Sequence, residues 1–238
     1  MDKADFVNTK ELVKYQKDIS AYIFASETSR INSVKKCPEM TDKSVVVHNF
    51  LNREKIIEQS REKVCIPYLL SVGNLRIEKN YPRQLEVMHL LKQKNISIKW
   101  FCIGSTIDRN VYGDVLRLLE KYDLKDDFIF CGADNNPYKY MRNAKAVMVL
   151  SDYESWSLVI SEAKILGVPV IATDTSGARE QITDGYTGII TAFEPSEIAD
   201  TVENYLKHPE LQAYLHQNLM RENLLQDSLH EFESLLEK

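Results

Sequence analysis

Several common classes of protein are disfavoured by what this sequence has little of. No hydrophobic run reaches the ~20 residues that a membrane-spanning helix requires, and the polar start MDKADFVNTK is unlike a signal peptide. Positive charge is scarce too, because 30 Lys and Arg stand against 35 Asp and Glu, and no basic cluster offsets the net charge of -5. We therefore expect neither a membrane-spanning protein nor a nucleic-acid partner.

Cysteine and histidine are few and poorly placed for a metal site. The four cysteines form no CxxC pair, and the five histidines are scattered and never form HxxxH. Cys102 and Cys131 lie within the apolar runs WFCIG and FIFCG, where a free thiol behaves as a small core residue. Reduced core thiols indicate a reducing compartment, so we expect a cytoplasmic protein without a bound metal.

Two glycine-rich phosphate-binding motifs are also missing. Neither GxGxxG nor GxxxxGK[ST] occurs in the sequence, which argues against a dinucleotide-dependent Rossmann enzyme and against a P-loop nucleotidase. The rest of the composition is that of a globular protein, with 44% hydrophobic and 27% charged residues. A chain of 238 residues suffices for one large domain, or for one domain and part of another.

From residue 64 onwards, the chain alternates short apolar runs with helical patterns. The runs end in Gly, Ser, Thr or Asp and read CIPYLLSVG, ISIKWFCIG, DFIFCG, AVMVLS, VPVIATD and GIIT. Continuous rather than alternating hydrophobicity is typical of strands that are covered on both faces, as in a parallel sheet. The pattern therefore predicts an α/β fold, a Rossmann-like doubly wound parallel sheet with right-handed crossovers.

The first ~60 residues repeat this pattern only once, in a unit too small to fold alone. AYIFAS and SVVVHNF read as strands, and ETSRINSVKK between them reads as a helix. The best candidate boundary lies near NFLNREK.

Ligands of open parallel sheets bind beyond the carboxyl ends of the strands, so each strand exit is a candidate site. At the first exit, SVGNLRIEKNYPRQ, Gly73 ends the strand, Arg76 and Lys79 occupy the loop, and a helix begins near Tyr81. Cations beside a helix N-terminus are typical of a phosphate site. The alternative is a solvated loop with two basic residues.

The second and third exits, CIGST and CGADNNP, offer glycines but no titratable pair. Gly104 and Gly132 would bring backbone groups close to a planar base. The fifth exit, VIATDTSGAREQI, has Ser176 as a candidate N-cap with Arg179 in the first turn, an arrangement that we interpret as structural.

The fourth exit, SDYESWSLVISEAKILGVPVIATD, holds two glutamates. Glu154 stands in the loop, and Glu162 falls within a helix predicted from about Trp156 to Leu166 with Val159 on its apolar face. A carboxylate placed at Glu162 can accept two charge-assisted hydrogen bonds from a vicinal diol such as a ribose. A salt bridge to Lys164 or to a neighbouring loop is the alternative role for Glu162.

Taken together, these exits resemble the nucleotide-binding half of the retaining family 4 glycosyltransferases of the GT-B fold. The resemblance runs from about Val45 to about Leu206 and rests on VGNLRIEKN, WFCIGS, FIFCG and the E-x7-E block followed by AKILGVPVIATDTSGAREQITDGYTGIIT, in family order and spacing. It implies that Glu162 holds the nucleotide ribose and that Glu154 contacts the donor sugar near the transferring carbon. It also implies that Lys79 neutralises the diphosphate.

The resemblance also implies a set of donor-contacting residues around these three. They are Gly73, Asn74, Arg76, Gly104, Gly132, Ala133, Ser155, Trp156, Ser157 and Leu158. The family has Arg where this chain has Asn74, and Arg76 is the candidate substitute. Ser155 and Ser157 replace the family's glycines around Trp156, with backbone amides expected to reach the sugar, and Asn80 stands where a glycine is common.

The resemblance divides the chain into three parts. Residues 1–50 match the last βαβ unit of the acceptor-side domain, residues 51–225 form the nucleotide-sugar-binding domain, and residues 226–238 match the family's closing helix. Most of the acceptor-side half has no counterpart in this sequence.

The implied function is retaining transfer of a hexose from a UDP- or GDP-sugar to a glycan or lipid-linked acceptor of envelope or capsule type. Neither a metal ion nor another cofactor is expected, because the sequence has no Asp-x-Asp motif. The implied location is the cytoplasm, with peripheral attachment to the inner membrane face as an option. Two alternatives stay open: a non-catalytic nucleotide-sugar-binding module, and a donor-binding subunit that self-associates or needs a separate acceptor-domain chain.

Overall fold

The structure, a computed structural model, contains two parallel sheets and describes residues 18–62, 66–105 and 109–222. The smaller sheet has two strands, β1 (Tyr22–Phe24) and β2 (Ser44–Val46). The larger sheet has six strands: β3 (Tyr68–Val72), β4 (Lys99–Ile103), β5 (Phe128–Gly132), β6 (Ala146–Val149), β7 (Val170–Thr173) and β8 (Gly188–Thr191).

Helices separate successive strands of both sheets. They are α1 (Glu27–Lys36), α2 (Arg53–Gln59), α3 (Tyr81–Gln93), α4 (Arg109–Lys121), α5 (Tyr138–Asn143), α6 (Leu158–Ile165), α7 (Ser176–Gln181), α8 (Pro195–Lys207) and α9 (Pro209–Arg221). Two 3-10 segments, Pro38–Lys43 and Ile77–Lys79, complete the connections. In the part of the chain that the structure describes, no helix combines the length and the apolar character needed to cross a membrane.

The strand order of the larger sheet is β5-β4-β3-β6-β7-β8, and every pairing is parallel. Chain order therefore runs outward from β3 to one edge and then from β6 to the other edge, which is the doubly wound topology. The predicted fold class is confirmed. All six strands lie within the apolar runs identified in the sequence, and the two short strands lie within AYIFAS and SVVVHNF.

Neighbouring residues of each central strand face opposite sides of the sheet, and both sides are covered by helices. Leu69 packs in one core cluster with residues of α3, α4 and α8, whereas Leu70 packs in a second cluster with residues of α2, α6 and α7. Both side chains are fully buried. Burial on both faces explains why the strands have continuous rather than alternating hydrophobic sequences.

Three local predictions were wrong. Thr175, not Ser176, caps α7: its backbone is extended and its hydroxyl accepts a 3.3 Å hydrogen bond from the backbone N–H of Ala178. Helix α6 begins at Leu158, two residues after the predicted start, although Val159 does pack against the core, as its predicted place on the apolar face requires. Cys131 is exposed, because β5 is an edge strand, although Cys102 is buried as expected.

The N-terminal unit contacts the larger domain through Glu180 and through Trp156. The carboxylate of Glu180 in α7 accepts hydrogen bonds of 2.8 Å from the backbone N–H groups of Glu27 and Thr28, at the start of α1. The rings of His48 and Trp156 stack with centroids 3.8 Å apart. The division of the chain at residue 50 stays a prediction, and the closing helix at 226–238 lies outside the described residues.

Candidate functional site

The position of the candidate site follows from the strand order. In the larger sheet, the chain reverses its direction of growth between the adjacent strands β3 and β6. Loops that leave the carboxyl ends of two such strands diverge to opposite faces of the sheet, and the crevice between them is the usual ligand site. The loop after β3 carries Lys79, and the loop after β6 carries Glu154.

These two loops meet through an ion pair. The ammonium of Lys79 lies 2.5 Å from Oε1 of Glu154, and the hydroxyl of Ser151 donates to the same oxygen at 2.8 Å. The Glu154 side chain is 11% exposed and that of Lys79 is 26% exposed. The cost of burying the carboxylate is thus offset by one cation and one hydroxyl. Lys79 and Glu154, which the sequence placed in separate loops, are brought together.

Asp152 ties the same two loops together a second time. Its carboxylate accepts hydrogen bonds from the amide of Asn80 and, at 2.6 Å, from the guanidinium of Arg83. Its backbone N–H donates to the carbonyl of Glu78 at 2.8 Å. Asn80 has φ 42°, a left-handed conformation that Asn tolerates better than most residues. The relative position of Lys79 and Glu154 is therefore fixed by several contacts.

The exits of β3, β4 and β5 are joined through their backbones. Gly73 donates its N–H to the carbonyl of Ile103, and Gly104 donates to the carbonyl of Gly132. A Cβ at Gly104 would lie 2.0 Å from the carbonyl oxygen of Gly73, so this approach needs a glycine. Gly132 has φ +79°, a conformation that also favours glycine. Ala133, the next residue, is exposed.

A cavity of about 400 Å³ opens above the ion pair. It is lined by Asn74, Arg76, Glu78, Lys79, Tyr153, Glu154 and Ser155. The size is in the range of pockets that hold small ligands. The site-residue predictions thus divide into those that line this cavity and those, including Glu162, that do not.

Asn74 and Arg76 have different environments within this cavity. The side-chain oxygen of Asn74 accepts a hydrogen bond of 2.9 Å from the backbone N–H of Ser105, so Asn74 holds the β4 exit in place. The guanidinium of Arg76 is 66% exposed and lies 3.9 Å from Glu78, at the limit of an ion pair. Exposed pairs of this kind contribute little stability, so Arg76 is available to a ligand at little cost.

Glu162 lies on α6, where its carboxylate accepts a hydrogen bond of 3.1 Å from the hydroxyl of Tyr138. Burial raises the pKa of Glu162 above its usual range, and the Tyr138 hydrogen bond opposes that rise. The alternative of a salt bridge between Glu162 and Lys164 is not observed. Lys164 instead donates to the carbonyl of Gln181 at 2.7 Å and pairs with Glu222 at 2.8 Å.

The segment that joins Glu154 to α6 is held by Gln181 of α7. The buried Gln181 amide accepts from the N–H of Ser157 and donates to its carbonyl, both at 2.8 Å. It also donates to the hydroxyl of Ser161. Within the same segment, Trp156 stacks on His48, and Leu158 is exposed at the start of α6. The backbone of Ser157 is therefore held on both sides by one buried side chain.

Several of these residues carried no recognisable signal in the sequence. The partners of Tyr138, Gln181 and His48 lie 24 to 108 positions away in the chain, and local sequence patterns do not reveal contacts at that distance. Ser151 was the exception that the sequence could have indicated, because it directly follows an apolar run and precedes Glu154 by three positions. Among residues 18–62, 66–105 and 109–222, no cluster of three or more potential metal ligands occurs.

The family model for glycosyl transferases group 1 matches residues 52–221, a segment that includes both glutamates and Lys79. This chain belongs to the group 1 glycosyl transferases. Its similarity to curated members of this group includes 29% identity over 165 residues to the N-acetylgalactosamine-N,N'-diacetylbacillosaminyl-diphospho-undecaprenol 4-alpha-N-acetylgalactosaminyltransferase of Campylobacter jejuni, covering 68% of this chain and 42% of that protein. It is also 23% identical over 209 residues to the N-acetyl-alpha-D-glucosaminyl L-malate synthase of Bacillus anthracis. This match covers 84% of this chain and 54% of that protein.

Solved structures of other glycosyltransferases share the fold of this glycosyl transferase. HepE from Anabaena, crystallised with UDP, superposes with a TM-score of 0.80 at 15% identity, covering 97% of this chain and 68% of HepE. TarM of S. aureus superposes with a TM-score of 0.78 at 18% identity, covering 96% of this chain and 46% of TarM. The likeness shows a GT-B type of fold. The chain spans about half the length of the curated relatives that it matches.

Proposed function

We propose that this chain binds a nucleoside diphosphate sugar and supports transfer of its hexose, with retention at the anomeric carbon, to a glycan or lipid-linked acceptor. The observation that carries the proposal is the Lys79–Glu154 pair, set 2.5 Å apart beside the cavity at the reversal point of a doubly wound sheet. The name of the Campylobacter jejuni relative, an N-acetylgalactosaminyltransferase, supports the sugar-transfer chemistry.

Lys79 is the proposed partner of the diphosphate. Negative charge develops on the departing diphosphate as the sugar leaves, and a preorganised cation in a partly desolvated site stabilises it. Arg76, exposed on the same cavity, supplies a second positive charge. The donor site is thus proposed to work with side-chain cations and without a metal ion.

Glu154 and Glu162 are the proposed contacts for the two ends of the donor. Glu154 lines the cavity beside Lys79, so a sugar attached to the diphosphate would lie against it. Glu162 already accepts a hydrogen bond from the hydroxyl of Tyr138, which supports a role in binding hydroxyl groups. We assign it to the ribose, and the glycine exits at Gly104 and Gly132 with Ala133 to the base.

The acceptor is proposed to contact a further half of the GT-B fold. Because the chain spans about half the length of its curated relatives, we assign the acceptor-holding groups to that half, either in the same polypeptide or in a separate chain. The proposed link to it consists of the smaller sheet and α1, whose first two residues donate hydrogen bonds to Glu180 of α7.

Thermal unfolding with UDP, GDP, ADP and CMP tests the donor proposal. A ligand at about 100 times its dissociation constant adds about 2.7 kcal/mol to the free energy of unfolding, so one nucleoside diphosphate should raise the Tm by several degrees. Glu162→Ala should abolish that rise, whereas Glu86→Ala, on the exposed face of α3, should retain it. A wild-type chain whose Tm responds to no diphosphate would contradict the proposal.

A further inference from the structure

The hydrogen bond between Tyr138 and Glu162 joins two elements that border the proposed nucleotide subsite. Tyr138 is the first residue of α5, six positions after Gly132, and Glu162 lies on α6. Their side chains meet at 3.1 Å, between Oη of the tyrosine and Oε1 of the glutamate. Both side chains are half-buried, so each remains partly accessible from solvent.

Hydrogen-bonding capacity at this pair is only partly used. An ionised carboxylate has about four acceptor sites on its two oxygens, and Tyr138 occupies one of them. The tyrosine hydroxyl has one donor, which is committed to Glu162, and its own oxygen still accepts. The pair therefore offers two adjacent acceptors, the carboxylate and the tyrosine oxygen, to a ligand with two adjacent hydroxyl donors.

We infer that Tyr138 and Glu162 together form the receptor for the vicinal diol of the donor's ribose. Glu162 accepts one ribose hydroxyl, and the oxygen of Tyr138, oriented by its own hydrogen bond to Glu162, accepts the other. Tyr138 is then a specificity-determining residue that favours ribonucleotides over deoxyribonucleotides. This inference rests on the proposed function, in which Glu162 binds the ribose.

The electrostatics of the pair are consistent with this role. Burial raises the pKa of Tyr138 to about 12, so its hydroxyl stays protonated at neutral pH. Its single proton is donated to Glu162. The same hydrogen bond lowers the pKa of Glu162 against the effect of burial and thereby keeps the carboxylate in the charged form that binds hydroxyls best. Removal of the tyrosine hydroxyl should raise the pKa of Glu162.

Calorimetric titration with ribose and deoxyribose nucleotides tests the inference. UDP and GDP would be compared with their 2′-deoxy and 3′-deoxy counterparts on the wild-type chain, on Tyr138→Phe and on Tyr140→Phe. Tyr140 is a matched control, because it lies on the same helix but interacts with Asp134. We expect the wild type to lose about tenfold in affinity for each deoxy analogue. Tyr138→Phe should erase that loss for one analogue, and Tyr140→Phe for neither.

A second readout does not require a nucleotide. In carbon-13 NMR titration of the ligand-free protein, the Glu162 carboxyl signal, assigned with Glu162→Gln, should titrate at higher pH in Tyr138→Phe than in the wild type or in Tyr140→Phe. An unchanged titration would show that the hydroxyl does not act on Glu162 and would overturn the inference.

The nucleotide results separate failure of the inference from failure of the proposed function. If the wild type binds a diphosphate and Tyr138→Phe weakens ribose and deoxyribose forms alike, or leaves both unchanged, the tyrosine has no role in discrimination and the inference is wrong. If the wild type binds no diphosphate, the proposed function is wrong, and the ribose role of Tyr138 falls with it.

Discussion

At the scale of single residues, Lys79 and Glu154 have both a structural and a proposed functional role. The pair is mostly buried, so each charge depends on the other when no ligand is present. A diphosphate that binds Lys79 must compete with Glu154 for the ammonium. Donor binding and loosening of this ion pair are therefore expected to be the same event.

Loss of Lys79 should destabilise the ligand-free protein. In Lys79→Met, Glu154 keeps Ser151 but loses its cation, and a partly buried carboxylate without its counter-ion should lower the free energy of unfolding by about 1–3 kcal/mol. Chemical denaturation would measure the change. Arg76→Met is the matched control and should stay within about 0.5 kcal/mol of the wild type, because Arg76 is exposed. Equal stability of the two variants would show that the ion pair contributes nothing to the fold.

The sequence was informative about which residue types stand at the strand exits, and less so about their partners. Glu154 and Lys79 could be assigned to exits because apolar runs end just before each loop. The sequence predicted neither their contact nor the tie through Asp152, because these contacts join residues that lie more than 70 positions apart in the chain. Arg76 was assigned as a replacement for a family arginine, and the structure shows it exposed on the cavity while Asn74 supports the loop.

At the scale of elements, helix α7 holds the loop between β6 and α6. Gln181 is 5% exposed and makes three hydrogen bonds to Ser157 and Ser161. The N–H of Gly177 donates to the carbonyl of Glu154, and a Cβ at Gly177 would lie 2.7 Å from that oxygen. Helix α7 thus sets the backbone on which Glu154 is mounted.

Gln181→Ala should loosen this loop as well as destabilise the protein. It leaves the N–H and the carbonyl of Ser157 without their buried partner, so the free energy of unfolding should fall by about 2–3 kcal/mol. Hydrogen exchange should quicken at residues 154–158 and not in α3. Gln93→Ala, on the exposed surface of α3, should change neither quantity. Wild-type exchange at 154–158 in Gln181→Ala would contradict the role assigned to α7.

Elements were more predictable than their ends. Each strand of the larger sheet lies within a continuous apolar run, and this signal is strong because both faces of the sheet are buried. Helix α7 was harder, since two neighbouring residues, Thr175 and Ser176, can both cap a helix, and only the backbone angles decide between them. Cys131 was misassigned because an apolar run does not reveal whether its strand lies at the edge of the sheet.

At the scale of the whole molecule, the proposed donor loop contacts the N-terminal unit. Trp156, two positions after Glu154, stacks on His48 of the N-terminal unit, and Nδ1 of His48 lies 3.0 Å from the carbonyl of Ala25. Together with the hydrogen bonds from the start of α1 to Glu180 of α7, these contacts fix the N-terminal unit against the loop that carries Glu154. A shift of that unit would therefore move the loop that carries Glu154.

The most direct test of the donor assignment is calorimetric comparison of a nucleoside diphosphate with its monophosphate on the wild type, Lys79→Ala and Glu154→Gln. We expect the wild type to bind the diphosphate more tightly, Lys79→Ala to lose that preference, and Glu154→Gln, which frees Lys79, to bind the diphosphate at least as well as the wild type. If Lys79→Ala weakens the diphosphate and the monophosphate by the same factor, Lys79 does not hold the second phosphate, and the proposed donor site is wrong.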